Sequence, residues 1–213
     1  MRGSIKRAWR GIKDLTPALS GGEGEGLTPA LSGGRGGRLK YIWDRDSILF
    51  FNIMAGSLVS VSGKSKLNLS SKKFVVVVAE WNEDVTEALY QGAFHALQSL
   101  GARKNNIIRR NVPGSFELPL MAQWAAEKKS IDAVICIGCI VQGDTPHFDY
   151  ICQAVAHGIM NVNLMTKKPI AFGVLTTLNK KQALERAGGK YGNKGEEAAL
   201  TVVKMLESLE HKV

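Results

Sequence analysis

The sequence predicts an α/β domain, a three-layer α/β/α sandwich built on a parallel sheet of four strands. Short apolar runs rich in β-branched residues recur between residues 74 and 175, as expected of strands buried on both faces. Helical patterns lie between these runs, and strands that alternate with helices form parallel sheets through right-handed crossovers. The chain has 213 residues, 45% of them hydrophobic, which is enough for one such domain with length to spare.

The first half of the domain contains two predicted strands and two predicted helices. Residues 74–79 (FVVVVA) form an uninterrupted apolar strand. Small and apolar residues then recur at alternating spacings of three and one, which indicates one face of a helix over residues 85–100, ended by Gly101. A second strand is expected over residues 107–112 and a second helix over residues 118–129.

The second half of the domain repeats the alternation. Its strands are predicted over residues 133–140 (AVICIGCI) and 169–175. Its helices are predicted at the ranges 146–165, 180–187 and 194–209. Because ligands bind beyond the carboxyl ends of the strands in such sheets, the candidate site lies in the segments that follow the four strands.

Residues 1–53 differ from the rest and are predicted to be a disordered, low-complexity extension of a domain formed by residues 54–213. They contain 10 of the 23 glycines, and the octapeptide LTPALSGG occurs twice, at residues 15–22 and 27–34. Such a segment buries too little apolar surface to offset the entropy of ordering it. An alternative hypothesis is that the natural protein starts at Met54.

The charge of the chain argues against a dedicated nucleic-acid binder. Residues 1–53 hold 9 Lys/Arg and 5 Asp/Glu, and the remaining residues hold 19 and 14. The excess of positive charge is therefore small in both parts of the chain. One Arg/Gly unit at residues 33–38 leaves nucleic-acid binding by the extension as an alternative. The longest apolar stretch, residues 48–55, is far shorter than the roughly 20 residues of a membrane span. The basic opening is interrupted by acidic residues, so we expect no targeting peptide.

The three cysteines predict reduced thiols in the cytoplasm. Cys136 and Cys139 form a Cys-x-x-Cys, but residues three apart in a strand point to opposite faces, and Cys152 belongs to another element. We therefore predict neither a disulfide nor a metal site. The histidines outside the candidate site also lack metal-ligand spacing: His95, His157 and His211.

Two segments at strand ends allow both a structural and a functional interpretation. Trp81 follows the first strand, where it either stacks on a planar ring or caps the core, and this residue alone favours the core. After the second strand and a Pro-Gly turn, Ser115 is placed to cap the next helix, with Phe116 and Glu117 at its start. Glu117 either favours the helix start or accepts hydrogen bonds from a ligand, and the structural interpretation is sufficient.

The segment after the third strand, residues 143–150, is the most informative. Thr145 suits the N-cap of the following helix and Pro146 its first position. The free N–H groups of that helix start would bind an anion such as phosphate. His147 lies in the first turn beside them, and an imidazole titrates near neutral pH, as proton transfer requires. We therefore expect His147 to be functional.

Arg186 is predicted to serve a neighbouring copy of the chain if it is functional. It lies ten residues beyond Thr176, and a helix of that length would carry it about 15 Å from the strand end. At that distance it does not reach His147 of its own subunit. The alternative is a solvated arginine that pairs one turn back along its own helix.

Taken together, the segments at the strand ends resemble lumazine synthases. The resemblance covers the chain from about residue 74 to its end and leaves residues 1–53 outside. It is carried by Trp81-Asn82, PGSFELP at 113–119, GDTPHFDY at 143–150, FGVLTT at 172–177, and RAG at 186–188 with GNKG at 192–195. It implies a flavodoxin-like fold and a cofactor-free condensation of 5-amino-6-(D-ribitylamino)uracil with 3,4-dihydroxy-2-butanone 4-phosphate. The products would be 6,7-dimethyl-8-ribityllumazine, phosphate and water, in the penultimate step of riboflavin biosynthesis.

The resemblance also implies a role for each matching residue. His147 would transfer protons, and Phe172 and Arg186 would come from the adjacent subunit. The residues implied to contact the pyrimidine ring or the ribityl chain are Trp81, Ser115, Phe116, Glu117, Cys139, Ile140 and Val141. The family often has Ala at the position of Ser115. The residues implied to bind or lie near the phosphate are Asp144 and Thr145, through the backbone of their turn, and Arg186 and Lys194.

The partners that the resemblance implies are two small-molecule substrates, further copies of the chain, and riboflavin synthase. Family members form pentamers, some of them stacked or closed into hollow capsids, and a segment corresponding to residues 58–62 often adds a strand to a neighbour's sheet. Two alternatives stay open. One is a non-catalytic flavin- or lumazine-binding protein on the same fold, and the other is a shell protein whose function is assembly.

Overall fold

Four parallel strands form the central sheet of the structure, a computed structural model that describes residues 67–210. In chain order they are β1 (Phe74–Ala79), β2 (Ile107–Val112), β3 (Ala133–Val141) and β4 (Ile170–Thr177). Across the sheet the order is β2-β1-β3-β4, so β1 and β3 are central and the other two are edge strands. The predicted parallel sheet is confirmed, and its order is that of the flavodoxin-like, doubly wound arrangement.

Several sequence predictions concern residues outside the described range. These are the extension over residues 1–53, the start at Met54, the strand-adding segment at 58–62, and His211. Within residues 67–210, no helix is long and apolar enough to cross a membrane.

Helices cover both faces of the sheet. In the described part of the chain they are α1 (Glu83–Ser99), α2 (Leu118–Ala126), α3 (His147–Thr166), α4 (Lys180–Leu184) and α5 (Lys194–Glu210). Helices α1 and α5 pack over one apolar cluster, and α2 and α3 pack over another on the opposite face. Alternate residues of β1 enter the two clusters: Val76 and Val78 the first, Val75 and Val77 the second. The three-layer sandwich is therefore confirmed.

The apolar runs in the sequence follow from this burial. Every residue of β1 is buried, and Phe74 lies opposite Ile107 of β2 on one side and Ala133 of β3 on the other. A strand covered on both faces has no polar positions, so it shows no alternation. The edge strand β2 differs, because Arg110 and Asn111 are exposed.

The predicted boundaries differ from the structure mainly at helix ends. Helix α2 ends at Ala126 and not at residue 129, because residues 127–130 are exposed and bury nothing that would extend the helix. Helix α4 ends at Leu184 and not at residue 187. Strand β4 continues to Thr177, two residues beyond its prediction, and pairs there with Val141.

The structure contains a small antiparallel hairpin that the sequence analysis missed. It pairs β5 (Ala187–Gly189) with β6 (Gly192–Asn193). Gly188 and Gly192 adopt φ of 114° and 75°, which favour glycine, so this turn depends on the glycines. The strands are two and three residues long, too short to show a period of two.

The cysteines lie as predicted within the sheet. Cys136 belongs to the cluster under α2 and α3, and Cys139 belongs to the cluster under α1 and α5, so the two thiols point to opposite faces. All three cysteines are free. Burial raises the pKa of Cys136 to about 12 and that of Cys139 to about 11, so both stay protonated at neutral pH.

Candidate functional site

Hydrogen bonds join the turns after β1 and β2 to each other and to the end of β3. The N–H of Trp81 donates to the carbonyl of Pro113 over 3.3 Å, which links the turns after β1 and β2. The side-chain amide of Asn82 donates to the carbonyl of Cys139 over 2.9 Å, which links the turn after β1 to the end of β3. Three of the four strand ends selected from the sequence are therefore joined at the carboxyl edge of the sheet.

Trp81 lies on the surface of this edge. Its side chain is 74% exposed in the single chain, so the interpretation as a core residue is wrong. The next residue, Asn82, has a left-handed backbone with a φ of 59°, and α1 begins directly after it at Glu83. The chain therefore changes direction between Trp81 and the helix, and Trp81 stays outside the core. A Cβ added at Gly114 would lie 4.0 Å from the ring, so the indole stands beside the turn after β2.

Glu117 closes the turn after β2. Its Oε2 accepts a hydrogen bond from the N–H of Gly114 over 2.9 Å, so one oxygen of this carboxylate has a structural partner in the turn that precedes α2. The other carboxylate oxygen accepts no hydrogen bond from the described residues and is available to a ligand. Phe116, the neighbouring residue, is 59% exposed on the same edge.

Ser115 does not cap α2, because no side-chain capping hydrogen bond is present and the cap position of that helix is Glu117. Its side chain is only 7% exposed and lies against β3. A Cβ added at Gly138 would be 2.6 Å from Ser115 Oγ, so the hydroxyl occupies the space that this glycine leaves empty. The predicted cap was wrong because a 3-10 turn, Ser115–Glu117, precedes the helix.

The end of β3 has one carbonyl already engaged. Cys139 is buried, and Ile140 and Val141 are half-buried at the strand end. Asn82 occupies the Cys139 carbonyl, and a carbonyl oxygen can still accept a second hydrogen bond. Asn82 belongs to one of the motifs that carry the resemblance but is not among the predicted site residues. The sequence feature that indicates its role is an asparagine at a strand-to-helix turn, because asparagine tolerates a positive φ.

The segment after β3 is exposed from Gln142 to His147. Helix α3 begins at His147 and Pro146 takes the cap position, so the predicted cap at Thr145 is wrong by one residue. The carbonyl of Pro146 accepts the first helical hydrogen bond, from Asp149 over 3.0 Å. Proline has no capping side chain, so the helix start carries no side-chain cap. The side chain of His147 forms no hydrogen bond or ion pair with the rest of residues 67–210.

Phe172 lies apart from the strand-end residues. It pairs with Cys136, whereas Ile140 pairs with Thr176, four residues further along β4. At about 3.3 Å per residue, Phe172 is about 13 Å from the carboxyl edge. Its side chain is 44% exposed on an edge strand. Within one chain, the structure therefore does not bring it to Trp81 and His147.

Arg186 lies on the segment between α4 and β5. No described hydrogen bond, ion pair or ring contact joins it to the strand-end residues. Its Nη1 donates to the carbonyl of Gln182 over 3.1 Å, one turn back along the helix, which is the alternative that the sequence left open. Its guanidinium lies 4.9 Å from the ring centre of Tyr191. Lys194, by contrast, forms an ion pair with Glu197 over 2.7 Å.

An ion pair that the sequence analysis did not anticipate spans this edge. Lys180 at the start of α4 lies 2.9 Å from Asp84 at the start of α1. The hydrogen bond from Lys180 lowers the pKa of the Asp84 carboxyl. The pair ties the turn after β1 to the turn after β4, and no periodicity in the sequence reports such a contact. Among residues 67–210, no group of three or more His, Cys, Asp or Glu is placed to hold a metal ion.

This geometry defines a class, the parallel α/β proteins whose functional side chains stand beyond the carboxyl ends of the strands. A sequence model of one family, described as 6,7-dimethyl-8-ribityllumazine synthase, matches residues 71–210. The chain belongs to this family.

Relatives of the same description are similar over most of the described residues. A 6,7-dimethyl-8-ribityllumazine synthase of Cytophaga hutchinsonii is 62% identical over 150 residues, which are 70% of this chain and 94% of the relative. The protein of that name from Parabacteroides distasonis is 50% identical over 69% of this chain and 89% of its own. The one from Porphyromonas gingivalis is 55% identical over 61% of this chain and 81% of its own.

Proposed function

We propose that the chain is a transferase that condenses 5-amino-6-(D-ribitylamino)uracil with 3,4-dihydroxy-2-butanone 4-phosphate to 6,7-dimethyl-8-ribityllumazine, releasing phosphate and water. The observation that carries the proposal is the carboxyl edge itself. There the exposed side chains of Trp81, Phe116 and His147 follow three different strands, on turns joined by the Trp81–Pro113 and Asn82–Cys139 hydrogen bonds. Membership in the family supplies the reaction.

The pyrimidine substrate binds between the turns after β1 and β2. The exposed indole of Trp81 offers a face for a planar ring, and stacked rings are favoured beyond the area they bury. The free oxygen of Glu117 accepts from the ribityl hydroxyls or ring N–H groups. Ser115 and Phe116 line the same turn, and the backbone groups of Cys139, Ile140 and Val141 bind the edge of the ring.

The phosphate of the second substrate binds at the start of α3. The first N–H groups of a helix have no partner within it, so the start of α3, which has no side-chain cap, favours an anion. The backbone N–H groups of Asp144 and Thr145, in the turn just before that helix, are the further proposed donors. The carboxylate of Asp144 repels phosphate, so its backbone is the binding group. Arg186 and Phe172 of an adjacent copy complete the site, since neither is joined to His147 within one chain. Lys194 lies near the phosphate and shares its charge with Glu197.

His147 is the catalytic residue of the proposal. The nucleophile is the arylamine of the first substrate, so the enzyme supplies orientation and proton transfer and needs no nucleophile of its own. Holding two molecules in attack geometry contributes several kcal/mol. The protons of imine formation, phosphate loss and ring closure move through the imidazole, which is exposed and unpaired beside the phosphate site.

Self-association into pentamers, and into larger shells such as capsids, is part of the proposal. An exposed apolar face supports it, because large apolar patches on a single chain mark interaction surfaces. On α2 and α3 the exposed apolar residues are Leu120, Trp124, Tyr150, Met160, Leu164 and Met165. Riboflavin synthase is the proposed protein partner, and the unpaired thiols favour the cytoplasm as the location.

An absorbance assay of lumazine formation from the two substrates tests the function. It is performed on versions of the chain that begin at Met1 and at Met54, since the alternative start predicts that the shorter version is fully active. Formation of the lumazine with release of one phosphate supports the proposal. A protein that binds the lumazine but forms none would be a binding protein, and one that only assembles would be a shell protein.

A further inference from the structure

The hairpin of β5 and β6 is fastened to the end of α4 at two points. The N–H of Tyr191 donates to the carbonyl of Glu185 over 2.8 Å, and the N–H of Lys194 donates to the carbonyl of Arg186 over 2.9 Å. These hydrogen bonds therefore hold the backbone of Tyr191 close to the backbone of Arg186. Tyr191 is not among the site residues predicted from the sequence.

The ring of Tyr191 is flanked by two cations. The guanidinium carbon of Arg186 lies 4.9 Å from the ring centre, and Nζ of Lys190 lies 5.1 Å from it. Both distances are within the range of cation–π attraction. Among the described residues, neither cation forms an ion pair with a carboxylate. Arg186 instead keeps one further contact, to the carbonyl of Gln182.

The neighbouring cation Lys194 differs from Arg186 and Lys190, because it is paired with a carboxylate. Its ammonium lies 2.7 Å from the Glu197 carboxylate, so an incoming anion has to compete with that carboxylate. An aromatic ring holds a guanidinium without neutralising it. Arg186 therefore keeps its full charge and is already oriented, which reduces the side-chain entropy lost when it binds an anion.

We propose that Tyr191 is a positioning residue for the phosphate group of the substrate, acting through Arg186, and that Lys190 adds a second positive charge at the same ring. This rests on the proposed function and goes beyond it by assigning Tyr191 and Lys190. A carboxylate at position 191 would orient Arg186 equally well but would compete with the phosphate.

The test compares Tyr191→Phe, which keeps the aromatic face, with Tyr191→Leu, which keeps apolar bulk without it. Both are made in the full chain and assayed with each substrate varied in turn. We expect Tyr191→Leu to raise the KM for the butanone phosphate about two- to fivefold, the size of an exposed cation–π contact. The KM for the pyrimidine substrate and kcat should stay within about twofold, and Tyr191→Phe should match the wild type. Inorganic phosphate should inhibit Tyr191→Leu more weakly by the same factor.

A double variant separates positioning from packing. In an Arg186→Gln background, adding Tyr191→Leu should raise the KM for the butanone phosphate by less than it does in the wild type, because the ring then has no guanidinium to hold and only Lys190 is left beside it. The proposal is overturned if Leu behaves like Phe at position 191, if Phe loses as much as Leu, or if the two substitutions add in the double variant. It is also overturned if Tyr191→Leu changes both KM values and the melting temperature together.

Failure of the proposed function can be recognised separately. If the wild-type chain forms no lumazine, binding of inorganic phosphate is measured directly by ³¹P NMR for the wild type and both variants of Tyr191. Weaker binding in Tyr191→Leu alone still supports an anion site held by the ring. Equal binding in all three overturns it.

Discussion

The side-chain amide of Asn82 lies 2.9 Å from the carbonyl oxygen of Cys139, to which it donates across 57 positions of the sequence. The same residue adopts a left-handed backbone, with a φ of 59°. One residue therefore sets both the direction of the chain after β1 and the contact of that turn with β3.

Two substitutions at Asn82 separate these contributions. Asn82→Gly keeps the left-handed backbone and loses the hydrogen bond, so we expect the free energy of unfolding to fall by about 1 kcal/mol. Asn82→Ala adds the strain of a left-handed alanine, about a further 1 kcal/mol. Urea unfolding of both variants measures the difference. Equal stability of the two variants would show that the backbone at this position carries no strain.

His147→Ala should lower kcat by about 10²–10⁴-fold, because proton transfer contributes that much in typical enzymes. The side chain is exposed and unpaired among the described residues, so thermal unfolding should not change. The matched control is His157→Ala, since His157 is exposed on the same helix and has no assigned role. Turnover like that of the wild type in His147→Ala would remove this residue from the mechanism.

Arg186→Ala should raise the KM for the butanone phosphate by about tenfold or more, the loss expected for one charge-assisted hydrogen bond. The KM for the pyrimidine substrate should not change. Arg109→Ala is the control, because that arginine is already paired with Glu87 over 2.7 Å and packs on Tyr90. If both substitutions raise the KM for the butanone phosphate equally, Arg186 has no specific role in binding the phosphate.

Gly138→Ala should destabilise the protein by about 1–3 kcal/mol through overpacking. The new methyl group would lie 2.6 Å from Ser115 Oγ and 3.0 Å from Leu118 Cδ1. Removing the hydroxyl with Ser115→Ala relieves the first of these clashes, so the double variant should recover part of the loss in chemical unfolding. Strictly additive losses would mean that the hydroxyl and the glycine do not share this space.

The two buried thiols predict a loss of stability at alkaline pH. Thiols in the unfolded chain ionise near their ordinary value of 9.0, while burial holds the pKa of Cys136 at about 12 and that of Cys139 at about 11. The unfolded state therefore releases protons first, and the free energy of unfolding falls as the pH rises from about 9 towards these folded values. A Cys136→Ala/Cys139→Ala variant, unfolded by urea along the same pH series, should show a shallower decline. An identical decline in both proteins would exclude the thiols as its cause.

The sheet was predictable because the apolar runs of β1 and β3 are long, and burial on both faces leaves little else for such runs to form. The carboxyl edge followed from topology, which brings the segments after parallel strands together. The exposure of Trp81 was not predictable, because it depends on one left-handed residue, Asn82, and not on a period. The cap at Pro146, the Lys180–Asp84 pair and the hairpin at Tyr191 also depend on single local geometries, which leave no repeating signal in the sequence.

The central position of β1 and β3 also affects the tendency of the protein to aggregate. Runs such as FVVVVA and AVICIGCIV have high β-propensity and neither charge nor proline, the composition of segments that stack into amyloid. While the sheet is intact, both runs are shielded by β2 and β4 and by the helices on each face. We therefore expect the folded protein to resist fibril formation, and we expect the rate of unfolding to set how long it lasts in storage.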